Sequence, residues 1–147
     1  MKHLADSLKV LALVGVISLG AGMASAAELA LKGYDPVAYF TEKRAMVGNT
    51  QFRLEWDGAT YQFVSAKHLE LFKADPERYL PQYSNLCAAS VAKGVRVQGQ
   101  PEYWLVQDGR LYLFGGPQGP GLMRADATMK STADRNFSSV SKLPNTQ

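Results

Sequence analysis

An Asp-Gly pair set between alternating segments is the strongest constraint on what this chain can fold into. Glycine accepts the positive φ that a tight two-residue turn needs, so Asp57-Gly58 predicts a β-hairpin. Gln51 to Trp56 puts Phe52, Leu54 and Trp56 on one face, and Thr60 to Val64 puts Tyr61 and Phe63 on one face. A one-sided hairpin needs a partner packed on it. Ser65 is placed to cap a helix, because its hydroxyl can accept an orphan backbone N–H. On that helix Leu69 and Phe72 share a face with Pro76, and His68 lies at its edge, one turn before Phe72. Asp75-Pro76 ends the helix and starts another short one.

The remaining chain adds similar parts. Leu29 to Tyr34 reads as a short strand ending at Gly33, and Asp35-Pro36 as a helix start with Asp as cap. Tyr83 to Lys93 reads as a helix stopped by Gly94, with Tyr83, Leu86, Cys87, Ser90 and Val91 on one side. Val95 to Val97 reads as a short strand. Tyr103–Val106 and Leu111–Phe114 flank Asp108-Gly109, a second hairpin with the same turn chemistry. Gly115 to Gly121 reads as loop, and Leu122 to Val140 as one C-terminal helix followed by disordered last residues. No internal repeat and no low-complexity tract are expected. The expected fold is α+β, a small antiparallel sheet of two hairpins with packed helices.

The first 26 residues read as an address. Lys2 and Lys9 precede an apolar run, Val10 to Leu19, too short to span a bilayer. Ala24-Ser25-Ala26 fits a small-residue cleavage signature, which predicts a Sec-type signal peptide cut after Ala26 and a periplasmic or secreted protein with no stable membrane anchor. Residues 27–147 then form one domain. Net charge falls from +3 to +2 as two lysines and one aspartate leave, a mixed surface that excludes a nucleic-acid footprint. One cysteine, Cys87, excludes an intramolecular disulfide and leaves three fates: burial, pairing with another molecule, or reactive or metal-binding chemistry.

Several motifs in order carry a family resemblance. Gly58, Tyr61, Phe63, Ser65, Phe72, Pro76 and Tyr79 meet the pattern G-x-x-Y-x-F-x-S…F-x-x-x-P-x-x-Y of the YHS domain family. Gly33–Phe40, Pro81–Ala88 and Asp108–Phe114 are similar to its longer, exported branch, so the motif-bearing core runs over about residues 31–114. The family's short metal-binding members use three cysteine ligands. The corresponding positions here hold Ala38, Val64 and His68, so that ligand set is absent. The resemblance implies redox or soft-metal chemistry at Cys87, a position that is selenocysteine in some members.

Two candidate metal ligands remain, His68 and Cys87, with copper the most plausible ion. Met46, Met123 and Met129 could add thioether donors, but none lies at motif spacing with them. The plainer reading makes His68 a helix histidine bonded to a backbone carbonyl and Cys87 a small core residue; it weighs more because no ligand cluster accompanies them. Tyr61, Tyr79 and Tyr83 are the candidate lining of a small-ligand pocket, or else buried tyrosines with satisfied hydroxyls. The expected function is a non-enzymatic binder of a soft metal ion or small ligand. The alternatives are a thiol-redox protein acting through Cys87 and a ligand-free accessory module. No Ser-His-Asp set, phosphate-binding glycine loop or C-x-x-C motif is present.

Overall fold

A computed structural model describes residues 27–144. The signal segment, with Ala24 and Ala26 at its cleavage site, lies outside the described residues, as do the last three residues. The fold is α+β. Strand β1 (Glu28–Leu29) is followed by a 3-10 turn (Ala30–Gly33), helix α1 (Ala38–Thr41), strands β2 (Asn49–Trp56) and β3 (Ala59–Phe63), and helices α2 (Ala66–Ala74) and α3 (Pro76–Tyr79). A second 3-10 turn (Gln82–Asn85) leads into α4 (Ala88–Ala92), β4 (Gln100–Gln107), β5 (Arg110–Phe114), α5 (Gly119–Ala125) and α6 (Met129–Val140).

Local chemistry explains most of these elements. Both hairpin turns take positive φ at both central residues, Asp57-Gly58 and Asp108-Gly109, as a tight turn matched to strand twist requires. Ser65 Oγ accepts the His68 N–H at 3.2 Å and opens α2. Pro76 opens α3. Each hairpin forms its own sheet, in the order β1-β3-β2 and β4-β5, with β1 parallel to β3.

Four expectations are corrected. Leu29 to Tyr34 is a two-residue strand and then a 3-10 turn, not a strand to Gly33. The helix expected from Tyr83 begins only at Ala88, because Tyr83, Ser84 and Asn85 all take left-handed backbone, which no α-helix admits. Residues 95–97 form no strand. The C-terminal helix is two: α5 starts inside the supposed loop with Pro120 in its first turn, and the Asp126 carboxylate accepts the Thr128 N–H (2.8 Å) and hydroxyl (2.7 Å), a local bonding pattern that breaks the helix before α6.

The chain also contains an internal structural repeat. Leu54↔Tyr61 and Arg53↔Gln62 in the first hairpin correspond to Leu105↔Tyr112 and Trp104↔Leu113 in the second, and both registers slip at the same place, between Asn49 and Arg53 and between Gln100 and Trp104. Leu29 pairs in parallel with Thr60 as Pro81 does with Leu111. Leu31, Lys32 and Gly33 have positive φ, as have Tyr83, Ser84 and Asn85. The backbone bonds repeat as well: Tyr34 N–H to Leu31 O and Leu86 N–H to Tyr83 O at 3.0 Å, then Asp35 N–H to Met46 O and Cys87 N–H to Val97 O at 2.8 Å. Gly48 N–H to Gly33 O and Gly99 N–H to Asn85 O, again 2.8 Å each, complete the match. Identity survives at Gly48/Gly99, Leu54/Leu105, Asp57/Asp108, Gly58/Gly109, Tyr61/Tyr112 and Phe63/Phe114. These positions are turn, close-approach and core sites, so the repeat is visible in backbone constraints rather than in a run of sequence.

One core belongs to each half. The first holds Val37, Tyr61, Phe63, Phe72 and Tyr79, and the second Tyr83, Leu86, Cys87, Tyr112, Phe114 and Met123. A third cluster, Leu31, Tyr39, Leu111 and Leu113, joins the halves. Tyr39 adds a hydroxyl bond to Pro101 O at 2.9 Å across the join, and Tyr34 one to Glu102 Oε1 at 2.9 Å.

Candidate functional site

Asp35 and His68 form the most polar point inside the protein. Asp35 is 0% exposed and His68 5% exposed. Oδ1 of Asp35 accepts the N–H groups of Val37 (2.8 Å) and Ala38 (3.3 Å), but α1 begins only at Ala38, with Val37 rather than the expected Asp35 at its N-cap. Oδ2 accepts the Val64 N–H at 2.8 Å and lies 2.6 Å from His68 Nδ1. One carboxylate thus ties α1, the end of β3 and α2 together. A buried carboxylate is tolerated when its lone pairs are filled this way. His68 is therefore not at the edge of the core, and its partner is a carboxylate rather than a backbone carbonyl. Its other nitrogen, Nε2, lies 3.1 Å from Thr41 Oγ1 and 3.6 Å from Glu42 Oε1, both on exposed residues at the end of α1.

Cys87 occupies a different environment. It is 5% exposed, and it immediately precedes α4 without a side-chain capping bond. A Cβ built on Gly115 would lie 3.8 Å from Cys87 Sγ. None of the residues bonded to His68 belongs to the cluster that holds Cys87. Among the described residues, no group of three or more His, Cys, Asp and Glu side chains is gathered as a metal site would require.

The three tyrosines divide likewise. Tyr61 rests against Phe72, with ring centroids 4.9 Å apart, and Tyr79 meets Phe40 edge-on at 5.4 Å, both in the first core. Tyr83 lies in the second core, its hydroxyl 2.8 Å from Asp134 Oδ1. Burial, reinforced by that carboxylate, pushes the Tyr83 phenol well above its ordinary value, and burial raises Tyr61 too. Of the three, only Tyr61 lines a cleft.

That cleft, about 490 Å³, opens between the two halves. Residues 28–32, Ala59 and Tyr61 wall it on one side; Ser84, Asn85, Arg96, residues 98–101 and Leu113 wall it on the other. Lys32 Nζ donates to Gln100 Oε1 across it, and the Arg96 guanidinium donates to Ser141 O. Sequence reasoning missed the cleft, since its walls come from segments far apart in the chain. It also missed Asp35 as the partner of His68, although the Asp-Pro pair marked Asp35 as a capping residue.

Among the described residues no helix is long and apolar enough to cross a membrane. No protein-family model, curated protein or solved structure matches the chain.

Proposed function

We propose that this chain is an exported, non-enzymatic binding protein of the YHS type, taking a small ligand in the cleft between its two halves. Backbone strain carries the reading. Among the described residues eight non-glycine positions have positive φ. Asp57 and Asp108 belong to hairpin turns, and Lys43 follows α1. The other five are Leu31, Lys32, Tyr83, Ser84 and Asn85, and four of these line the cleft. A left-handed non-glycine residue costs roughly 1–2 kcal/mol, and such strain concentrates where structure serves binding. Both walls of one cleft carry it, and a cleft between packed units is a common ligand site.

The test is the native mass of the mature protein purified from the periplasm without reductant. Extra mass lost on denaturation, absent from Gln98→Trp, whose exposed side chain lies on the cleft wall, and retained in Cys87→Ser, is the expected result. A bare mass, or extra mass that survives Gln98→Trp, would defeat the proposal.

A second reading, metal binding, is favoured by the 2.6 Å Asp35–His68 bond, since a carboxylate on Nδ1 fixes the tautomer that leaves Nε2 as the donor. Nε2 faces oxygen groups at Thr41 and Glu42. That set suits a divalent ion that accepts nitrogen and oxygen, such as Zn(II) or Cu(II), better than Cu(I). Uptake lost in both His68→Gln and Glu42→Gln but kept in Cys87→Ser would support it, and equal uptake by all three variants would end it. A thiol-redox role is not supported, because Cys87 lacks the access that such thiols need.

A further inference from the structure

We infer that this chain pairs with a second copy of itself through the open edge of β2, in an antiparallel register centred on Leu54. β2 lies at the end of its sheet, bonded on one side to β3. In a hairpin with a two-residue turn, the pair flanking the turn exchanges both of its hydrogen bonds, and alternate pairs repeat this. Trp56↔Ala59 and Leu54↔Tyr61 therefore direct their backbone groups into the hairpin, and Arg53 and Glu55 turn theirs to the open edge. Among the described residues nothing meets those outward groups. A row of unpaired edge groups is a template for another strand. The strand at the same place in the second half is better covered: β4 is exposed at one of its eight residues, β2 at six.

Charge selects the occupant and the register. With a two-fold axis at Leu54, Arg53 faces the second copy's Glu55 and Glu55 faces the second copy's Arg53, so one patch complements itself. Both side chains are exposed, and among the described residues neither makes an ion pair or hydrogen bond within its own chain. They are free to pair across the axis. The neighbouring registers that keep the outward backbone groups bonded are centred on Arg53 or on Glu55. These set arginine against arginine or glutamate against glutamate, and like charges directly opposite are unfavourable.

The experiment is sedimentation equilibrium of the mature chain from micromolar to millimolar concentration, where we expect reversible dimers. Arg53→Glu and Glu55→Arg should each weaken the dimer by about tenfold or more, because each turns both opposed pairs repulsive. The double variant Arg53→Glu, Glu55→Arg restores opposite charges in the same register and should restore the dimer. The two single variants, mixed in equal amounts, should pair with each other. When dilute, each variant should melt at the wild-type temperature, since both side chains are exposed and unbonded within the chain. Glu55→Pro removes one outward N–H at an edge, where proline is tolerated, and should abolish pairing. A monomer at every concentration, a dimer that survives both single variants or Glu55→Pro, or single variants that stay monomeric when mixed would overturn the pairing.

Discussion

Asp35 and Cys87 occupy the same place in the two halves of the chain. Each follows a run of left-handed backbone, and each donates its N–H to a carbonyl 2.8 Å away, Met46 O for Asp35 and Val97 O for Cys87. The contents of the two places differ. Asp35 meets the Val64 N–H and His68, whereas the residues that correspond to Val64 and His68, counting on from Phe63 and Phe114, are Gly115 and Gly119. A Cβ at Gly119 would sit 2.3 Å from the Phe114 ring, so the second half has no room for a histidine there. One half closes its node with a carboxylate and an imidazole, the other with a thiol in an apolar core.

Asp35→Ala should be among the most damaging substitutions in the protein. It strands three backbone N–H groups and His68 Nδ1 in a fully buried place, at a cost of about 3–5 kcal/mol. Asp35→Asn retains an acceptor and should cost less. Urea unfolding midpoints of the two variants check the order, and an Ala variant as stable as wild type would contradict the clamp.

Cys87→Ala should lower stability by no more than about 1–2 kcal/mol, whereas Cys87→Ser, which buries a hydroxyl without an assigned partner, should cost more. Alkylation by iodoacetamide should be slow in buffer and fast in denaturant. Rapid labelling of the native chain would mean that the thiol is accessible.

Gly48→Ala and Gly99→Ala should be damaging for the same reason in different halves. A Cβ at Gly48 would lie 2.5 Å from the backbone carbon of Gln62, and one at Gly99 would lie 2.5 Å from Leu113 Cβ and 2.8 Å from Asn85 O. Each should cost more than about 2 kcal/mol, because backbone on the opposing strand cannot step aside. Matched losses in melting temperature support the repeat; a loss in one alone argues against equivalent packing.

Tyrosine ionisation should set the alkaline limit. Burial raises the phenols of Tyr39 and Tyr83 above the usual value of 10.0. The folded state therefore holds these protons longer than the unfolded chain, and stability, complete below pH 10, falls as pH rises above it. Tyr83→Phe should cost about 1.5–3 kcal/mol at neutral pH by losing its bond to Asp134, and it should flatten the alkaline decline. Tyr112→Phe should be neutral or slightly stabilising, since the Tyr112 hydroxyl is buried without a hydrogen-bond partner among the described residues. Stability measured from pH 7 to 11 separates these outcomes.

Much of the fold was legible in local chemistry. Asp57-Gly58, Asp108-Gly109, Ser65 and Asp75-Pro76 each carry a backbone constraint that a few neighbouring residues satisfy, and all four appear as expected. The break between α5 and α6 is local, at Asp126 and Thr128, but the missing first turns of the helix before Ala88 are imposed from outside. Tyr83, Ser84 and Asn85 have no residue type that demands left-handed backbone three times over; pairing of Asn85 O with Gly99 and packing of the Tyr83 ring hold them there.

The sequence by itself determined the hairpins, the caps and the apolar faces, because those depend on residues within a turn or two of one another. Only the tertiary structure decided that Asp35 meets His68, that Cys87 does not, and that Lys32 and Ser84 wall one cleft. Those pairings join segments distant in the chain: packing within the first half brings Asp35 to His68, and packing of the two halves through Leu31, Tyr39, Leu111 and Leu113 sets Lys32 opposite Ser84, which no local pattern encodes.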